Sequence, residues 1–165
     1  MPFSAYSRLN GACSVAIGIL FIAAGFPGLL APAASWWLAA PGVLAVLVPI
    51  ALWARRRGVP WSEPGRWLTD RPLREARQGL APMDERRLRI RLVGETVLWG
   101  AVALAVFVGF TTSRPFAYAT GWASLAYGLL ELLASPPQIR AAEREHGVAY
   151  RVCRRPGIGT PDVTY

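Results

Sequence analysis

From Leu9 to Ala54 the chain carries no charged side chain, and the 37 residues that follow, Arg55 to Arg91, hold eleven arginines against five acidic residues. A soluble amphipathic helix returns a charged residue to its wet face about every turn. An uncharged stretch this long, closed by a dense basic block, is the pattern of an integral membrane protein with a basic cytoplasmic middle. Four windows run about 16 to 20 residues without charge, close to the ~20 needed to cross a ~30 Å hydrocarbon core. They predict an all-α integral membrane protein, a four-helix bundle of two hairpins joined by a basic cytoplasmic loop. The spans fall at about 11–30, 35–54, 92–111 and 116–134, with the loop at 55–91 and a short helical tail at 135–165. All 165 residues form one membrane domain.

Net charge and residue choice narrow the function classes. A charge of +8 on a soluble surface points to nucleic acid. Here the charge flanks apolar spans, so it points to orientation and to anionic lipid headgroups at the arginine-rich loop, and no nucleic-acid partner is expected. All eighteen basic residues are arginine, alongside abundant alanine, glycine and proline, which reads as the coding bias of a GC-rich, bacterial genome. Arg8, the eleven arginines of the middle and the five of the tail fall on one side of a four-span chain, with Arg114 alone on the other. The positive-inside bias therefore predicts a multi-pass protein of the cell membrane with both termini cytoplasmic.

Along the chain, Gly11, Gly18 and Gly25 recur every seven residues with Ser14 beside them, either a surface for close helix packing or general glycine tolerance. The first apolar block, ending in Ala31-Pro32-Ala33, also has the form of a signal peptide, but the second span that follows at once favours a retained anchor. Pro27, Gly28 and Pro32 predict a tight hairpin, Trp36 and Trp37 mark the far interface, and Pro41 and Pro49 predict a kink in the second span. Residues 66–78 fit a short helix on the membrane surface or a solvated loop. Asp84 is a candidate N-cap for the third helix, on which Ala101, Ala105 and Gly109 form a second small-residue stripe. Pro136-Pro137 is expected to end the fourth span. A tail helix then runs from Pro137 to His146 with Gly147 as its stop, followed by a short helical or extended piece over 148–155 and a frayed end.

Two carboxylates lie within the spans. Glu95 falls about one turn inside the third helix and Glu131 about one turn before the end of the fourth, at similar depth near the cytoplasmic boundary. Burying a carboxylate there costs free energy, which makes both candidate catalytic residues. Gly121, Ser124, Gly128, Glu131 and Ser135 follow a three-four spacing, a small polar face with Tyr127 beside it. Glu95 and Glu131 are expected to share a cytoplasmic-side pocket with Tyr127, reached by Arg91, Arg140 or His146. The alternative is structural: Arg91 and Glu95 pair at i, i+4, Glu131 snorkels or caps a turn, and His146 sits at a helix C-terminus where imidazolium suits the dipole. Cys13 and Cys153 form no CxxC motif, and with one histidine in the chain no metal site is expected. No phosphate loop or nucleophile triad appears, and nothing names a cofactor.

Glu143 to Ile158 reads Glu-Arg-Glu-His-Gly-Val-Ala-Tyr-Arg-Val-Cys-Arg-Arg-Pro-Gly-Ile. It resembles the C-terminal end of the isoprenylcysteine carboxyl methyltransferase-like membrane enzymes, where an acidic helix leads into a Phe-Gly-x-x-Tyr segment and a basic, proline-containing finish. The resemblance covers about a tenth of the chain. The family's Arg-His-Pro-x-Tyr-x-Gly segment is missing: the nearest stretch, Arg114 to Gly121, lacks the histidine, falls at the opposite face and is followed by one span where the family has a helical pair. The resemblance implies a membrane enzyme acting on a lipid or isoprenoid substrate at the cytoplasmic face. Composition points first to a non-enzymatic accessory or assembly partner, with a protein partner or a second copy of the chain as its ligand. A small transporter ranks last, since its binding charge belongs near the midplane on broken helices.

Overall fold

The structure, a computed structural model, describes residues 1–25, 32–76, 84–109, 114–154 and 161–165. It is all-α in its bulk: α1 (Phe3–Gly25), α2 (Pro32–Arg56), α3 (Arg66–Arg74), α4 (Glu85–Gly109), α5 (Arg114–Leu129) and α6 (Ser135–His146), with a π-helical turn at Leu130–Ala134 and a two-stranded ribbon of β1 (Arg151–Arg154) and β2 (Asp162–Thr164). The expected Pro27–Gly28 hairpin lies outside the described residues, as do the side chains of Trp36 and Trp37.

The four long helices fall where charge patterning put them, with different ends. α1 begins at Phe3 and not near residue 11, because Phe3 and Tyr6 are buried in a core at the arginine end, and Ser7 and Asn10 bond to the π turn. α2 runs through Pro41 and Pro49. Asp84 caps α4 as its position suggests, accepting a 3.1 Å hydrogen bond from the Arg86 amide. Pro136-Pro137 does not end the fourth helix. The chain passes through the π turn straight into α6, with the prolines in its first turn. Proline carries no N–H, so carbonyls in the preceding turn lose their helical donors. The Ser7 hydroxyl supplies one from outside, donating to the Glu131 carbonyl at 3.1 Å.

Packing joins the helices differently from two sequential hairpins. α1 packs most extensively on α5 and next on α4, while α2 leans on α5 and hardly meets α1 among the described residues. The α1–α5 seam is backbone against backbone. A Cβ on Gly11 would sit 2.7 Å from the Leu132 amide nitrogen and 2.9 Å from the Gly128 carbonyl; one on Gly18 would sit 2.7 Å from the Leu125 nitrogen and 2.8 Å from the Gly121 carbonyl. Glycine on both sides lets two antiparallel helices approach to a distance no other residue permits, where Cα–H groups reach facing carbonyls. Of the stripe expected on α4, Ala101 and Ala105 are exposed, and Gly100 and Ala103 turn towards α1 instead.

At the arginine end residues 66–74 form a helix, α3, and not a solvated loop. It packs on α6, α2 and β2, burying Thr69, Asp70 and Pro72. Asp70 is held between Arg74 at 2.9 Å and Arg66 at 3.8 Å. Gly65, ahead of α3, lies against the Ala134 carbonyl of the π turn. Most of the end expected to fray, residues 155–160, lies outside the described residues; beyond it β2 runs antiparallel to β1, and Met1–Phe3 adds to β1's other edge through Phe3 N–H to Tyr150 C=O (2.9 Å) and Val152 N–H to Met1 C=O (3.0 Å). Phe3, Tyr6, Leu88, Leu92, Ile139, Tyr150, Val152 and Val163 form the core beneath this ribbon.

Among the described residues one helix, over Phe3–Ala23, is long and apolar enough to cross a membrane, with a mean hydropathy of 1.4. Large apolar side chains are exposed along α1, α2, α4 and α5, among them Ile19, Leu44, Val97 and Leu129, with Val97 at 67%.

Candidate functional site

Where α1, α4 and the π turn meet beneath α3 there is a cavity of about 330 Å³. Three of the six sequence candidates line it: Glu95 of α4, Tyr127 of α5 and Glu131 of the π turn. The π turn explains how Glu131 gets there. It inserts one residue into the helical repeat, which re-aims the side chains on either side of it. The carboxylate is 6% exposed and accepts a hydrogen bond from the Asn10 side-chain amide of α1. Glu95 is half-buried and pairs with Arg91 at 3.2 Å, the i, i+4 contact that spacing predicts.

The rest of the wall is polar where the helices face one another. Ser7, Asn10 and Ser14 present one face of α1, Thr96 comes from α4 and Ser135 from the start of α6. Thr96 is satisfied within its own helix, donating to the Leu92 carbonyl at 2.9 Å. Ser135 is not. Its hydroxyl is fully buried and makes no hydrogen bond to the protein, while the carbonyl four residues back, that of Glu131, accepts from the Ser7 hydroxyl. A buried hydroxyl on a cavity wall without a protein partner marks a space suited to a polar occupant. Phe3, Tyr6 and Trp99 supply aromatic wall, and Leu68, Thr69 and Pro161 line it at the arginine end. Such a space offers two carboxylates, hydroxyls and ring faces to a small polar or cationic group. Among the described residues no cluster of histidine, cysteine, aspartate or glutamate is arranged to hold a metal.

The other candidates are elsewhere. Arg91 reaches the site only through its ion pair with Glu95 and does not line the cavity. Arg140 lies on a groove with Arg8 and Arg89. His146 is exposed in the last turn of α6, on a cleft between α3 and α6, with its Nδ1 3.2 Å from the Tyr150 hydroxyl. Gly147 stops that helix in the left-handed conformation (φ 64°), donating its N–H to the Glu143 carbonyl. Burial pushes the Tyr150 phenol above its usual range, and Tyr165, Glu143 and Glu145 add to the effect. The structure thus brings Glu95, Glu131 and Tyr127 to one cavity and leaves Arg91, Arg140 and His146 off its wall.

Sequence reasoning missed Ser7 and Asn10, which hold the π turn from the opposite helix. The signal was present: Ser7, Asn10 and Ser14 repeat the three-four spacing recognised on the fourth helix. Comparison with protein families, with characterised proteins and with solved structures gives no match to this chain.

Proposed function

We propose that this chain is a four-span protein of the cell membrane, both termini cytoplasmic, acting as an accessory or assembly partner whose arginine-covered face grips anionic lipid. One observation carries the reading. The helices expose a girdle of large apolar side chains, including Leu44, Val48 and Leu52 on α2 and Val93, Val97, Leu98 and Leu104 on α4. Exposed apolar surface on this scale needs an apolar surrounding. It lies next to a rim of exposed arginines at one end: Arg8, Arg55, Arg56, Arg57, Arg86, Arg87 and Arg89. Lipid satisfies the girdle and anionic headgroups satisfy the rim. Alkaline washing of membranes from cells making the protein tests this. The chain stays with the membrane pellet on this reading, and release into the wash sinks it.

A second reading, a membrane enzyme acting on a lipid or isoprenoid substrate at the cytoplasmic face, is favoured by the cavity that Glu95, Glu131 and Ser135 share. Glu95→Gln and Glu131→Gln separate the two. An enzyme loses its cellular phenotype while inserting and folding normally; an accessory protein loses phenotype only to the extent that it loses stability.

A further inference from the structure

A groove distinct from the Glu95–Glu131 cavity opens at the arginine end between α1, α4 and α6, with a volume of about 640 Å³. Three arginines converge on it from three helices: Arg8 of α1, Arg89 of α4 and Arg140 of α6. They are far apart in the chain, so no local run of basic residues accounts for the meeting; the fold brings them together. Among the described residues no carboxylate lines the groove. Arg89 is paired to Glu85 at 2.8 Å, while Arg8 and Arg140 have no carboxylate partner among the described residues. Arg8 and Arg140 thus bring to the groove two guanidinium charges that no acid on its wall offsets, and a bound anion would offset them.

The groove also has a direction. Met1, Ser4 and Ala5 line it at the start of the chain, and Leu9 and Ala12 on α1 and Leu132 in the π turn line it further along. Ala12 lies one turn past Arg8, about 6 Å along the helix, and Leu132 lies eight residues before Arg140, about 12 Å along the other. Both offsets run the same way, from the arginine end towards the apolar girdle. Charge at the mouth and aliphatic wall below match a phosphate with a hydrocarbon chain attached. A free phosphate would have no use for the lower wall.

We infer that Arg8, Arg89 and Arg140 form a binding site for the phosphate of an anionic phospholipid, with one acyl chain laid along Leu9, Ala12 and Leu132. The inference rests on the membrane reading above. It goes beyond that reading's general attraction of the arginine rim to anionic lipid by placing one lipid at one site. Such a lipid bridges α1, α4 and α6, tying the helix that carries Glu95 to the two elements that flank Glu131.

The test is native mass spectrometry of the detergent-solubilised full chain with phosphatidylglycerol, phosphatidylcholine and inorganic phosphate as separate probes. Phosphatidylglycerol is expected to stay bound, with retention falling about fivefold for each of Arg8→Gln, Arg89→Gln and Arg140→Gln, and about a hundredfold for the triple. A triple of equal charge change away from the groove, Arg55→Gln with Arg56→Gln and Arg57→Gln, is expected to change retention less than about twofold. Melting of each variant without lipid serves as the folding control. Equal losses from the two triples reduce the site to diffuse attraction and overturn the inference, as does full competition by inorganic phosphate or undiminished binding by the groove triple. If the chain washes off membranes but still binds phosphatidylglycerol through these three arginines, the membrane reading fails and the site stands. If the chain stays in the membrane and the triples behave alike, the site fails alone.

Discussion

Gly128→Ala is the sharpest perturbation of the α1–α5 seam. A Cβ at Gly128 would lie 2.7 Å from the Val15 amide nitrogen and 2.8 Å from the Gly11 carbonyl, with the Val15 Cγ2 at 2.9 Å. Ordinary carbon contacts are near 3.5 Å, so the helices must part by about 0.7 Å. The first two obstacles are α1 backbone, and no rotamer change clears them. A gap of that size forfeits a quarter to a half of each dispersion contact across the seam, and overpacking of this kind costs about 1–3 kcal/mol. Against this, alanine in a helix gains about 1 kcal/mol over glycine. Gly94→Ala cancels that term: Gly94 also lies within a long helix, and a Cβ there meets nothing within 4 Å. Thermal unfolding in detergent, followed by circular dichroism, should place Gly128→Ala below Gly94→Ala by about 1–3 kcal/mol. The double variant Gly11→Ala with Gly128→Ala should lose less than the sum, since parting the helices once relieves both clashes. Gly128→Ala melting at or above Gly94→Ala would refute a backbone-limited seam.

At the cavity, Glu131→Leu should destabilise by about 1–3 kcal/mol, because it strips the Asn10 amide of its acceptor, while Glu131→Gln keeps an acceptor and should cost less; equal losses in detergent melts would contradict the hydrogen bond. Gly147→Ala puts a Cβ at φ 64° and should cost about 1–2 kcal/mol, visible as faster amide exchange at the end of α6, and unchanged exchange would count against the left-handed stop. The Tyr150 phenol, raised first by burial and then by Tyr165, Glu143 and Glu145, is neutral in both folded and unfolded chains below pH ~10, so its contribution is whole there. Above that pH the unfolded phenol ionises first and stability falls as pH rises towards the folded value. Unfolding followed across that range should show the decline in the native chain and a shallower one in Tyr150→Phe, and parallel curves would contradict it.

What the sequence disclosed and what it hid follow one physical division. Charge along the chain is a local property, so the uncharged run up to Ala54 and the arginine block pointed to four long helices, of which α1 and α4 begin about two turns ahead of their expected spans. Period also carried through: the small polar face from Gly121 to Ser135 does point inward. The N-terminus of α1 was hidden because Ser7 and Asn10, polar at an expected boundary, are satisfied by the π turn across the interface. Pro136-Pro137 misled for a related reason: the π turn places both prolines in the first turn of α6, where proline is tolerated, and a carbonyl of the π turn accepts from Ser7, 124 residues distant. The pairing of α1 with α5 in place of α2 was legible only as two glycine rows with nothing to say that they face each other. β1 has partners from both ends of the chain, β2 on one edge and Met1–Phe3 on the other, and no local window contains the second.

The account stands on the arginine face lying in the cytoplasm with the apolar girdle in lipid. With Cys13 and Cys153 replaced by serine, Ser62→Cys puts a single exposed thiol on the loop ahead of α3. A membrane-impermeant maleimide should leave that thiol unlabelled in intact cells whose outer barrier has been opened, and label it fully once the inner membrane is broken. Full labelling before the inner membrane is broken would put the arginines on the wrong side and contradict the account.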